Sequence, residues 1–158
     1  PVISEDKIRG YRNFATKIWN VARFVLMNYD PKFEKIKPKF GSQDRKHLKE
    51  LMAVHKKISK DIEAFKFHSA AYTIYHYFWH TFADKIIESS KFRLHSEDIT
   101  ERATAFKINL EILSVSLKLL HPFMPFVTEE IYQKLSPYGR STAGRPLKNK
   151  KLLMIEKW

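Results

Sequence analysis

The stretch from Ile99 to Leu120 constrains the fold most strongly, because its apolar residues recur at alternating spacings of four and three. This seven-residue repeat places the side chains along one side of an α-helix, where they must pack against other helices. The repeat consists of Ile99, Ala103, Phe106, Leu110, Leu113, Leu117 and Leu120. The preceding Ser96, Glu97 and Asp98 predict a helix start near Ser96, with both acids in the first turn. A chain with this repeat is expected to fold as a helical bundle.

Three further stretches show helical spacing and predict packing partners for this helix. They run from Glu5 to about Tyr29, from Ser42 to about Glu63, and from about Ser69 to Lys91. The first is expected to end at Asp30-Pro31. The predicted inner residues are Tyr11, Phe14, Ile18, Val21, Ala22, Val25 and Tyr29 in the first stretch, Leu48, Leu51, His55, Ile58, Ile62 and Phe65 in the second, and Ala71, Ile74, Tyr75, Phe78, Phe82 and Ile86 in the third.

The predicted fold is therefore all-α: an antiparallel bundle of about four long helices, a short C-terminal helix and a basic tail. Pro122 and Pro125 interrupt the fourth long helix, and the short helix is expected from Val127 to Leu135. The length of 158 residues fits one domain, with a bundle over residues 1–135 and a basic extension over 136–158. Residues 151–158 could form a short extended segment.

The net charge of +12, from 29 Lys and Arg against 17 Asp and Glu, favours a polyanionic partner. A basic protein without such a partner is the alternative. The candidate cations for a phosphate backbone are Arg140, Arg145, Lys148, Lys150 and Lys151 in the tail. No apolar run reaches the roughly 18 residues of a membrane span, and no signal peptide is visible. We expect no membrane partner. The start at Pro1 rather than Met suggests a fragment of a longer protein.

The outer face of the first helix carries the residues that best fit a nucleic acid. At about 100° per residue, the residues opposite the apolar side are Asn13, Thr16, Lys17, Asn20, Phe24 and Met27, flanked by Arg12 and Arg23. Lys and Arg can meet phosphates, Asn can bond a base edge, and an exposed Phe can stack on an unpaired base. The alternative is that Phe24 packs on a neighbouring helix and the polar residues only face solvent.

Catalytic and metal sites are not expected in this chain. It has no Cys, which excludes disulfides and thiolate ligands. His76 and His80 have the spacing of zinc-binding histidines, but Tyr77 stands where the metalloprotease pattern requires Glu. No glycine-rich phosphate loop is present. We predict no catalytic residue, no metal and no cofactor within these 158 residues.

Two segments resemble valyl-tRNA synthetases closely. Residues 10–28 read GYRNFATKIWNVARFVLMN, and residues 119–133 read LLHPFMPFVTEEIYQ. The intervening FWHTFAD of residues 78–84 and the final IEKW of 155–158 are also similar to that family. The resemblance spans nearly the whole chain and keeps the family's order. Isoleucyl and leucyl enzymes share weaker versions and remain alternatives. Lys85 departs from the pattern, since many bacterial relatives carry Trp there.

The resemblance implies an anticodon-binding domain, downstream of a catalytic core that lies elsewhere in the parent chain. That parent would use ATP and Mg to activate valine and esterify it to tRNA in the cytoplasm. The implied partners are the anticodon stem-loop of the valine tRNA and the parent's catalytic domain. The implied readers of the second and third anticodon bases are Lys17, Asn20, Arg23 and Phe24, beside Asn13 and Arg12. A basic helical adaptor for a protein or membrane surface is the rival from another class.

Overall fold

The computed structural model describes residues 4–135, which contain helices and no strand. The α-helices are α1 (Glu5–Met27), α2 (Ser42–Glu63), α3 (Phe67–His76), α4 (Glu88–Leu94), α5 (Ile99–Leu120) and α6 (Pro125–Leu135). A π-helical segment, Tyr77–Ile87, joins α3 to α4, and a short 3₁₀-helix, Pro31–Lys35, follows α1. The predicted all-α class is confirmed. The predicted tail lies outside the described residues.

Helix α5 is the central helix of the bundle. Its predicted apolar repeat is confirmed, because Ala103, Phe106, Leu110, Leu113, Leu117 and Leu120 are all buried. Burial extends well beyond that repeat to Ile108, Ile112 and Leu119 on other sides of the helix. Even its polar Asn109 is buried, and its amide donates to Ser90 Oγ at 2.8 Å. A helix that is covered on most sides needs apolar residues all round. The single apolar repeat predicted from the sequence therefore identified only part of the buried surface of α5.

Cross-helix contacts show that α2 runs opposite to the continuous helix formed by α3, the π-helical segment and α4. At one end Arg93 of α4 bonds Asp44 in the first turn of α2, at 2.6 and 3.1 Å. At the other end Ser69 of α3 donates to Asp61 near the end of α2, at 2.8 Å. This long helix is called the α3–α4 rod below.

Helix α1 runs in the same direction as the α3–α4 rod and opposite to α5. Phe14 contacts Tyr75, with ring centres 4.6 Å apart, and Phe24 lies beside Lys91 further along both helices. Past the end of α1, Tyr29 meets Phe106, which is near the start of α5. Consecutive long helices therefore alternate in direction, as predicted for an antiparallel bundle.

Most helix boundaries agree with the sequence, and the differences have local causes. Asp98 caps α5 by accepting a bond from Thr100 N at 2.8 Å. The helix consequently begins at Ile99, and the expected start near Ser96, with Asp98 in the first turn, is wrong. Pro125 opens α6 instead of only breaking the preceding helix, because proline is well suited to the first helical position.

Three residues predicted on inner faces are exposed. Tyr11 is 68% exposed, because the first turns of α1 extend past the core and burial begins at Phe14. Phe65 is 82% exposed, because α2 ends at Glu63 and the positive φ of 56° at Phe65 takes it off the helical period. Tyr75 is 37% exposed at the groove between α1 and the α3–α4 rod.

Candidate nucleic-acid interface

The six predicted base- and phosphate-contacting residues lie on the outer face of α1, whose edge at Phe24 packs partly against the core. Its opposite face buries Phe14, Ile18, Val21, Ala22 and Val25, which orients the helix. Of the six, Arg12, Asn13, Asn20 and Arg23 are exposed, and Lys17 and Phe24 are half-buried. The structure therefore places the set on one accessible helix face.

Lys17 is fixed between two helices. Its Nζ donates to Asp84 Oδ1 of the π-helical segment at 2.9 Å and lies 5.5 Å from the centre of the Trp79 ring. The other carboxylate oxygen of Asp84 lies 3.6 Å from His80 Nδ1. The Lys17 ammonium is thus held at a defined point beside the helix face and does not extend freely into solvent.

The sequence left two interpretations of Phe24 open, an exposed stacking ring or a ring packed on a neighbouring helix, and its observed exposure is intermediate between the two. Its side chain packs partly against the core, so it is not a fully exposed platform. Lys91 Nζ lies 6.0 Å from its ring centre and also bonds Glu88 Oε2 at 2.7 Å. A base that stacks on Phe24 would therefore meet a ring that packs on the core and has the Lys91 ammonium over it.

Asn20 is an exposed hydrogen-bonding group of this face. It is exposed, follows Lys17 by three residues and precedes Phe24 by four, so the three side chains share one side of α1. Within residues 4–135 its amide makes no side-chain hydrogen bond. Thr16, by contrast, uses its hydroxyl to bond Arg12 O at 3.0 Å. The amide of Asn20 is therefore available to bond a ligand.

Three residues of this region were missed as contact residues by the sequence analysis: Trp79, Asp84 and Lys91. Each lies on the α3–α4 rod and touches a predicted reader on α1. Asp84 did fall in a segment with family resemblance, but nothing in the local sequence indicated a partner 67 positions away. The five predicted tail cations, Arg140, Arg145, Lys148, Lys150 and Lys151, lie outside the described residues.

A buried ion pair at the end of the bundle holds α2 and the α3–α4 rod in register. Asp44 is buried, and it accepts two bonds from Arg93 and one from Gly41 N at 2.9 Å. Burial alone would raise the pKa of the Asp44 carboxyl, but the bonds from Arg93 and Gly41 outweigh it and lower that pKa. The pair supports the scaffold that positions α1 against the rod.

This helical bundle places cations, amides and a ring on one face of α1, and comparison with known proteins gives its family. Residues 44–158 match the family described as the anticodon-binding domain of tRNA ligase. The chain belongs to this family. The matched range begins in α2, so α1 precedes it.

Individual relatives extend the similarity over α1 as well. The chain is 44% identical over 139 residues to a valine–tRNA ligase of Pseudothermotoga lettingae and 43% identical over 132 residues to that of Thermotoga maritima. These two alignments cover 88% and 84% of the chain. Similarity to the valine–tRNA ligase of Petrotoga mobilis, at 39% identity, covers 94% of the chain and so includes most of α1. The chain spans 15–16% of the length of these relatives. Among the described residues, no helix is long and apolar enough to cross a membrane.

Proposed function

We infer that this chain reads the anticodon of a tRNA as the anticodon-binding domain of a valine–tRNA ligase. The observation that carries this inference is the placement of Asn20, exposed on α1 between Lys17, which is held from the α3–α4 rod, and Phe24, which packs partly against the core. Family membership supplies the class of ligand, and the α1 face supplies groups that suit it.

The chemistry of the face fits an unpaired loop. The Asn20 amide has a donor and an acceptor for a base edge, and Phe24 offers an aromatic surface for stacking. Lys17, Arg12 and Arg23 supply positive charge for the phosphates that connect the bases. Because Lys17 and Phe24 are fixed before RNA arrives, less conformational entropy is lost on binding.

The valine specificity rests on the relatives and on the resemblance of residues 10–28. The matched relatives are valine–tRNA ligases, which favours this assignment over an isoleucyl or leucyl enzyme. In this proposal the parent chain activates valine with ATP and Mg in the cytoplasm and esterifies it to tRNA. The helical domain docks beside the catalytic domain of that chain and contributes recognition of the valine tRNA without bond-making.

The test compares tRNAs that differ only in the second or third anticodon base. Asn20→Ala in the full chain should weaken binding of the valine tRNA by about 1–3 kcal/mol and weaken the altered tRNAs much less. Gln43→Ala, which removes another exposed amide on α2, is the matched control and should change neither. Wild-type protein that binds all these tRNAs equally would contradict the proposed function. Equal losses for every tRNA would remove Asn20 from the reading set.

A further inference from the structure

A row of five rings runs along the exposed side of the α3–α4 rod, next to α1. It consists of Tyr72, Tyr75, His76, Trp79 and His80, spaced one helical turn apart in two neighbouring rows. Ring centres are 5.8 Å apart between Tyr72 and His76, 4.7 Å between His76 and His80, and 5.7 Å between Tyr75 and Trp79. We name this continuous surface the aromatic stripe.

The rings of the aromatic stripe are accessible, and those of its inner row pack against α1. Tyr72 is 60% exposed, His76 and His80 are exposed, and Trp79 is half-buried. The inner row rests on Phe14 of α1, whose ring centre lies 4.6 Å from Tyr75 and 5.9 Å from Trp79. The inner row thus offers rings in fixed positions, so little side-chain entropy would be lost when a base stacks on it.

The stripe is continuous with the α1 face. Lys17 Nζ lies 5.5 Å from the centre of the Trp79 ring, and His80 contacts Asp84, the ion-pair partner of Lys17. The stripe itself contains no acid, and Asp84 beside it already has its charge balanced by Lys17. A ligand that is bound at Lys17 and continues along the α3–α4 rod therefore passes over these rings.

We propose that the aromatic stripe is a second RNA contact, on which further unpaired nucleotides of the anticodon loop stack. This proposal rests on the proposed function, which places the anticodon bases at Lys17, Asn20 and Phe24. Unpaired bases expose the flat faces that paired bases hide in the helix stack, and aromatic side chains bind them with little sequence preference. In this proposal the α1 face recognises the anticodon bases, and the aromatic stripe binds neighbouring bases of the loop by stacking.

The composition of the stripe favours RNA over a protein partner. All five side chains are rings with polar tips or ring nitrogens. A surface for an apolar helix would instead combine aliphatic residues into a groove. The net charge of +12 also complements a polyanion.

The experiment uses a hairpin of the valine-tRNA anticodon arm, with 2-aminopurine placed in turn at each loop position outside the second and third anticodon bases. Stacking quenches the fluorescence of this base. Wild-type protein should quench at least one position. Tyr72→Ala combined with His76→Ala should abolish that quenching and weaken the hairpin roughly 5- to 100-fold. The preference for the cognate anticodon should remain.

Two variants control for loss of an exposed ring and for its chemistry. Phe126→Ala removes a ring that is 90% exposed on α6, and it should change neither quenching nor affinity. Tyr72→Phe keeps the ring and should bind as wild type does. A Tyr72→Phe variant as weak as Tyr72→Ala would overturn stacking as the role of the stripe.

The outcomes separate this proposal from the proposed function. Unchanged quenching and affinity in the double variant, with anticodon preference intact, would overturn the stripe and leave the proposed function standing. Wild-type protein without anticodon preference would overturn the proposed function, while quenching that still depends on Tyr72 and His76 would support the stripe.

Discussion

Lys17 of α1 and Asp84 of the π-helical segment form an ion pair across two helices, with Nζ and Oδ1 2.9 Å apart. Their side chains are 33% and 42% exposed, so the pair contributes at most about 1 kcal/mol to the free energy of unfolding. Its consequence is geometric. The pair fixes a cation at the junction of the α1 face and the aromatic stripe.

Asp84→Asn tests this positioning. The variant keeps the shape of the side chain but removes its charge, so Lys17 is released and one negative charge leaves the RNA-binding side. We expect the variant to bind every tRNA at least as tightly as the wild-type protein does, while its preference for the cognate anticodon falls. The free energy of unfolding should change by at most about 1 kcal/mol. Titrations with cognate and altered tRNAs measure both effects, and an undiminished preference would show that Asp84 does not position Lys17 for reading.

Phe24 can be separated into its packing and stacking roles because it is half-buried. Phe24→Leu keeps an apolar side chain against the core, so the free energy of unfolding should fall by less than about 1.5 kcal/mol. It removes the ring, so cognate tRNA should bind about 1–3 kcal/mol more weakly. Phe24→Ala should lose both, and thermal melts beside the binding curves separate them. A Phe24→Leu variant with full affinity and anticodon preference would limit Phe24 to packing.

Local periodicity was sufficient to predict the helices but not how completely each is covered. The repeat from Ile99 to Leu120 correctly predicted a long helix, because one buried side suffices to produce that spacing. The burial of Asn109 could not be predicted, because it depends on Ser90, which is brought near by the fold. Tyr11 shows the opposite limit, since the helical period continues past the point where the core ends.

The residues of the α1 face were predictable because they lie on one helix, whereas their partners were not. Asn20 and Lys17 follow from helical geometry alone. Asp84 and Trp79 reach Lys17 only because α1 lies alongside the π-helical segment, whose wider turn departs from the regular 3.6-residue period. The regular period still identified Phe78, Phe82 and Ile86 of this segment as buried, but it gave no sign of the contacts with Lys17.

The Asp44–Arg93 pair predicts a loss of stability in acid. The pKa of Asp44 is lower in the folded protein than the ordinary value of about 3.9, so the folded state binds its proton less readily than the unfolded chain. The stabilisation is therefore fully present above about pH 4–5 and is lost as the pH falls through the folded pKa. Asp44→Asn should lower the free energy of unfolding by about 1–3 kcal/mol at pH 7. Melting curves for both proteins should converge towards pH 2, and parallel curves would contradict this role.

The cations of residues 140–151 should supply affinity that depends on salt and not on the anticodon. This stretch contains Arg140, Arg145, Lys148, Lys150 and Lys151 and no acid. Replacing all five with glutamine keeps the chain length, so any change reports charge. Because each cation that meets a phosphate releases counterions, the slope of log affinity against log salt should flatten by about 0.7–0.9 for each such contact. Binding of cognate and altered tRNAs should weaken equally, which titrations at several salt concentrations measure. A variant that loses anticodon preference while its salt slope stays the same would show that these residues read bases.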